Sequence, residues 1–124
     1  MYWAVRGPAG GDQLAEVALF RLAEGSPWGE VGYWCHPDAR GRGVTTAAVR
    51  LVSRHALAPE ADGGLGLERL VLQAAEGNTA SQRVAQKAGF TRVGTERRAE
   101  RLRDGSRVDF ARYDLLAEEV AERV

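Results

Sequence analysis

The chain has 124 residues, 44% of them hydrophobic, with 17 basic and 17 acidic side chains and a formal net charge of zero. That length fits one domain, spanning residues 1–124, that buries roughly two-thirds of its unfolded surface. The absence of a basic excess argues against a general nucleic-acid binder or a protein held on anionic membranes. A single cysteine, Cys35, excludes an internal disulfide, and no Cys/His spacing suits a metal. No apolar run reaches the length of a membrane span or signal peptide, so the expected setting is cytoplasmic.

Taken in chain order, Tyr2 to Arg6 reads as a strand and Gly7 to Asp12 as its turn. Leu14 to Leu22 is a second strand, closed by Glu24-Gly25-Ser26-Pro27, and Glu30 to His36 is a third, giving an antiparallel meander. Val44 to Leu57 carries apolar residues at 44, 47, 48, 51, 52 and 56, the period of a helix with one face on a sheet. Pro59 to Gly66 is a polar loop, Leu67 to Ala74 a strand, and Ser81 to Ala88 a helix. Thr91 to Arg98 and Arg107 to Leu115 form a hairpin around Arg103-Asp104-Gly105-Ser106, in which Glu96, Glu100 and Asp104 break up the arginines as on a solvated ribbon. Ala117 to Val124 is a charged tail that can start a short helix.

The junction between the third strand and the first helix is the most informative segment. It reads Tyr33-Trp34-Cys35-His36-Pro37-Asp38-Ala39-Arg40-Gly41-Arg42-Gly43-Val44-Thr45-Thr46. A glycine-rich loop opening a helix aims unpaired N–H groups outward and adds the positive end of the helix dipole, which together suit a phosphate. Gly41 and Gly43 let the backbone approach a ligand, and Arg40 and Arg42 add cationic side chains. A nucleoside-triphosphate loop would need Lys-Ser/Thr where Val44-Thr45 stands. A dinucleotide fingerprint would want Gly or Ala at Thr46 and a parallel strand–helix–strand opening. The remaining pattern, Arg-x-x-Gly-x-(Gly/Ala), is met by Arg40 and Gly43, with Thr45 at its last position. A glycine turn that merely caps a helix is the alternative account of the pair.

A second block follows a strand: Asn78-Thr79-Ala80-Ser81, then Val84-Ala85-Gln86-Lys87-Ala88-Gly89-Phe90. Asn78 or Thr79 can cap the helix and Gly89 suits a left-handed position after it. The two blocks, in this order and separation, resemble the acyl-CoA loop and the following helix of the GNAT N-acetyltransferases, most closely the RimJ/RimL-type branch. The resemblance runs from about Tyr2 to Leu116.

The resemblance implies a mixed α/β fold with a central, mostly antiparallel sheet and helices on both faces. It implies acetyl-CoA as acyl donor, no metal, and a primary amine acceptor such as a protein N-terminus or a small amine. The residues it assigns to the cofactor are Trp34, Cys35, His36, Arg40, Gly41, Arg42, Gly43, Val44, Thr45, Thr46, Asn78 and Ser81. Two central strands of the family splay apart, which makes the N–H of Trp34 or Cys35 the donor to the thioester carbonyl. Glu30 begins the same strand and is the carboxylate placed to deprotonate the amine; an ordinary exposed strand residue is its other reading. Many relatives carry a tyrosine as proton donor in the second helix. None stands there here, so Ser81 is the substitute, as proton donor or cofactor contact, with Tyr113 behind it. Cys35 and His36 are strand neighbours facing opposite sides, which denies them a nucleophile–base geometry.

RimJ/RimL-type proteins normally begin with a strand and two helices ahead of the equivalent of Tyr2. Without those helices, Tyr2 and Trp3 would flank an uncovered apolar sheet edge, which predicts a homodimer or larger assembly. A non-catalytic acyl-CoA-binding or dimerisation module is the alternative reading.

Overall fold

The computed structural model describes residues 1–7, 10–21, 25–37 and 43–121. Six strands form one sheet: β1 (Tyr2–Gly7), β2 (Gly10–Arg21), β3 (Trp28–Cys35), β4 (Arg69–Ala75), β5 (Thr91–Arg101) and β6 (Arg107–Leu116), in the order β1-β2-β3-β4-β6-β5. Neighbouring strands are antiparallel except β3 and β4, which run parallel. The helices are α1 (Val44–Leu57), α2 (Thr79–Lys87) and α3 (Ala117–Ala121), and none is long and apolar enough to cross a membrane. The result is a mixed α/β fold with a mostly antiparallel central sheet, as expected. Strand β2 starts earlier than its apolar pattern suggested, and a short 3-10 turn at Glu60–Asp62 interrupts the polar loop.

Alternation along the strands sorts the side chains onto two faces. Val17, Leu19, Val31, Leu70, Leu72, Ala111, Tyr113 and Leu115 point to one side and are buried. Helix α1 covers that side with Val49, Val52, Ala56 and Leu57, and α2 adds Ala85 to the same core. Helix α1 also touches α2 and α3, so all three helices lie on one face. Among the described residues the helices, expected on both faces, are therefore found on one.

The opposite face carries Tyr2, Phe20, Trp28 and Trp34, all exposed. Tyr2 meets Phe20 edge-on at 5.8 Å, and Arg69 sits 6.0 Å over the Trp28 ring while pairing with Asp114 at 3.1 Å. Trp3, expected at an uncovered edge beside Tyr2, instead packs against the core, its ring 6.5 Å from that of His55. Odd-numbered β1 residues turn toward α1, and Trp3 is one of them.

The buried stripe of α1 is also rotated from the apolar count. Thr45, Val49, Val52, Ser53, Ala56 and Leu57 face inward, while Leu51 is 67% exposed. Counting only apolar residues passes over Thr45 and Ser53, whose buried hydroxyls find no partner among the described residues. Helix α2 ends as its sequence predicts. Gly89 has φ 97°, and the Phe90 N–H returns 3.0 Å to the carbonyl of Ala85.

The face assignment is open to a direct measurement. Leu72→Ala, in the fully buried layer, is expected to cost about 2–5 kcal/mol in denaturant unfolding. Leu51→Ala is expected to change stability by less than about 0.5 kcal/mol. A large effect of Leu51→Ala would place the α1 stripe where the apolar count put it.

Candidate functional site

The parallel ladder between β3 and β4 stops at the Val31–Leu72 pair, while β3 continues against β2 to the Ala15–Cys35 pair. Beyond Val31 the two strands part. The His36 N–H donates 2.8 Å to the carbonyl of Leu14. In an antiparallel ladder alternate residues turn both backbone groups to the same neighbour. Trp34, two residues before His36, therefore directs its N–H to β2, and Tyr33 and Cys35 direct theirs into the gap. Of the two amides expected to serve as carbonyl donor, only that of Cys35 faces the gap; that of Trp34 is engaged on the other side by the strand period.

The gap opens on a cavity of about 310 Å³. Its walls are the end of β3 (Tyr33, Trp34 and Cys35), the start of α1 (Gly43 to Thr46) and one side of α2 from Asn78 to Lys87. Gly43 stands at the α1 N-cap with φ 71° and no side-chain cap, and no acidic residue occupies the first turn. A helix without a cap leaves its first N–H groups unsatisfied and its dipole uncompensated. The hydroxyl of Thr45, buried and without a partner among the described residues, lies at the same place. These features suit an anionic group. Arg40, Gly41 and Arg42 of the same loop lie outside the described residues.

Helix α2, by contrast, is capped: Asn78 Oδ1 accepts the Ser81 N–H at 3.0 Å. Asn78 thus has a structural role as well as a position on the cavity wall. Ser81 Oγ donates to Tyr33 Oη at 3.0 Å, and the Tyr33 hydroxyl donates to the Ser81 carbonyl. Burial pushes the Tyr33 phenol up to about 12, opposed by the hydrogen bond from Ser81 and aided by nearby Tyr113. Tyr113 is fully buried and gives its hydroxyl to Gln82 Oε1 at 3.0 Å, which keeps it off the cavity wall.

Glu30 belongs to the even-numbered side of β3 and lies on the open face, paired in register with Phe20 on β2 and Val71 on β4. It is half-buried and does not line the cavity. His36 is also off the cavity wall, its ring 6.1 Å from that of Trp34. The structure thus gathers Trp34, Cys35, Gly43 to Thr46, Asn78 and Ser81 around one cavity and leaves Glu30 on the other side of the sheet. Gly32 lies between them, and only the Phe20 ring comes within 4.0 Å of where a Cβ would stand.

This chain matches the family model described as "Acetyltransferase (GNAT) domain" over residues 1–91. It belongs to the GNAT acetyltransferase family. Among curated proteins it is 30% identical over 106 residues to "Putative ribosomal N-acetyltransferase YdaF" of Bacillus subtilis strain 168, covering 86% of this chain and 52% of that protein. The chain therefore spans about half the length of the curated relative it matches. Among solved structures, spermidine N-acetyltransferase SpeG of Vibrio cholerae (F149A mutant) superposes with TM-score 0.83 at 16% identity, over 98% of this chain and 68% of that one. The microcin C7 self-immunity acetyltransferase MccE, solved with acetyl-CoA and AMP, gives 0.71 at 23% identity, over 86% and 56%. At those identities the likeness is one of fold.

Within this GNAT domain the sequence reading passed over Tyr33, Ala80, Arg83, Val84 and Lys87, all on the cavity wall. The last four carried a legible signal. Positions 80, 83, 84 and 87 stand at i, i+3, i+4 and i+7, one face of a helix. Tyr33 had no such signal, because its partner Ser81 lies 48 residues away.

The α1 terminus can be tested through its charge. Asp and Asn both tolerate the left-handed conformation of Gly43, so neither variant is expected to disturb circular dichroism. Gly43→Asp is expected to weaken CoA binding by about tenfold or more, as like-charge repulsion at close range implies. Gly43→Asn should weaken it less. Equal affinities for the two variants in calorimetry would remove the α1 terminus as the anion seat.

Proposed function

We propose that the chain is one acetyl-CoA-dependent N-acetyltransferase domain of the RimJ/RimL type, acting in the cytoplasm on a primary amine such as a protein N-terminus or a small amine. The observation that carries this reading is the cavity between the parted end of β3 and the uncapped start of α1. Its residues fit the donor. The first-turn amides of Val44, Thr45 and Thr46 receive the pyrophosphate, with Gly43 giving room and Arg40, Gly41 and Arg42 completing the loop. The gap-facing backbone of Tyr33 and Cys35 pairs with the pantetheine arm as a missing strand would. Trp34 and Asn78, both on the cavity wall, border the arm, and His36 stands beside Trp34 at that edge.

Acetyl-CoA supplies an acyl group activated as a thioester. The Cys35 N–H is the donor for the carbonyl oxygen, where negative charge grows as an amine adds. Glu30, on the open face beside Gly32, accepts the proton that the amine loses, through water. The reaction then balances: the amine gives up one proton, and the departing sulfur ends with one.

Glu30→Gln is expected to lower kcat at neutral pH by on the order of 10²–10⁴ with little change in acetyl-CoA affinity. The loss should shrink at high pH, where the amine is already neutral. Normal turnover by this variant would return Glu30 to the role of a strand residue.

The open aromatic face favours a second reading, a non-catalytic acyl-CoA-binding or dimerisation module. Tyr2, Phe20, Trp28 and Trp34 are exposed on that face, with Tyr2 against Phe20, and exposed apolar surface suits an interface. Free-thiol release against a panel of amines separates the two. Turnover supports the enzyme. CoA binding without turnover, with light scattering reporting a dimer and a blue shift of Trp28 and Trp34 emission, supports the module.

A further inference from the structure

The wall of the cavity between β3 and α2 is closed by two hydroxyl groups in reciprocal contact. Ser81 Oγ–H is spent on Tyr33 Oη, and Tyr33 Oη–H is spent on the Ser81 carbonyl. The two bonds differ in how easily each is given up. The Ser81 carbonyl lies in the first turn of α2, where a helical carbonyl already accepts the N–H four residues on. It loses little when the phenol proton turns away, a rotation about a single C–O bond. The Tyr33 oxygen, held against α2, has Ser81 Oγ as its side-chain donor among the described residues. Turning that serine proton into the cavity would leave the phenol oxygen without it.

We propose that Tyr33, rather than Ser81, is the hydrogen-bond donor to the sulfur of bound CoA, and that Ser81 is its positioning residue. This rests on the reading of the cavity as the CoA site. The phenol sits on the strand whose free backbone edge, at Tyr33 and Cys35, faces the gap in which the arm would lie. As the thioester bond breaks, the electron pair stays on sulfur, and a hydrogen bond to a charged acceptor is roughly twice as strong as one to a neutral group. Ser81, donating to the same phenol oxygen, draws electron density from it and makes Tyr33 the stronger donor; its hydrogen bond pulls the phenol in that direction. The phenol keeps its own proton throughout. Burial holds its pKa above the ordinary phenol value, so the phenol donates a hydrogen bond without losing its proton, and the thiolate takes its proton from water.

Binding of CoA and of desulfo-CoA, which lacks the sulfur, measured by calorimetry from pH 6.5 to 9.5 tests this without turnover. Cys35 on β3, Arg83 and Lys87 on α2, and Tyr113 on β6 also border the phenol or its cavity. Tyr33→Phe leaves all four in place, so a change in the ratio on that substitution belongs to the phenol. The unsubstituted protein should prefer CoA over desulfo-CoA increasingly as pH rises through the thiol range, by about tenfold if the bound thiol pKa falls by about one unit. Thiolate absorbance in the ultraviolet should show the same shift. Tyr33→Phe should flatten the ratio while leaving CoA affinity at pH 6.5 within about threefold, and that retained affinity reports an intact site. Ser81→Ala should reduce the ratio without flattening it, and 3-fluorotyrosine at position 33, a stronger donor, should enlarge it. A ratio flat with pH in the unsubstituted protein overturns the proposal alone. So does a ratio lost in Ser81→Ala but kept in Tyr33→Phe, which makes the serine the donor. No CoA binding at any pH overturns the cofactor reading and this one with it.

Discussion

Everything at the site depends on where the pairing of β3 and β4 ends. A strand continued past its partner keeps one row of N–H and C=O groups with no ladder to join, and such groups must find partners elsewhere. Here the row belongs to Tyr33 and Cys35, because Trp34 and His36 are turned toward β2. An extended ligand with amide groups of its own can satisfy that row as a strand would. The gap is thus a consequence of two strands that run parallel over four residue pairs and then diverge.

The parallel pairing also fixes where the N-terminus of α1 must be. Parallel neighbours require a crossover, and α1 is that crossover. A helix leaving the carboxyl end of β3 places its own N-terminus beside the gap. In open α/β sheets ligands collect at this crevice for the same reason. The absence of a side-chain cap and of acidic residues in the first turn of α1 then keeps its positive end uncompensated. Helix α2, capped by Asn78, is held differently: its first turn serves as a wall, tied across the gap to β3 by the Tyr33–Ser81 contact.

The two faces of the sheet divide the chemistry. One is closed by three helices and holds the cavity; the other is open, with aromatic side chains around Glu30. A donor held from the first face and an acceptor arriving from the second would meet where the strands part. Gly32 lies at that point, and the absence of a Cβ leaves the open side unobstructed except for the Phe20 ring. Strand β5, exposed along nearly its whole length, adds little to this core and carries alternating charges that suit an edge.

The sequence by itself determined what is set by local chemistry: helix α1 from Val44 to Leu57 with a glycine at its start, the capped start and glycine-ended stop of α2, and the charged hairpin of β5 and β6. Period, caps and turn residues act over a few positions, so they can be read along the chain. Only the tertiary structure decided which face each periodic stripe turns inward, as at Leu51 and Trp3, because burial depends on partners far off in sequence. It also decided which strand amide is free, Cys35 rather than Trp34, since that follows from the register with β2. And it alone joined Tyr33 to Ser81 while setting Glu30 on the far side of the sheet. A single residue of strand register separates one face from the other, and register is fixed by the packing of the whole sheet.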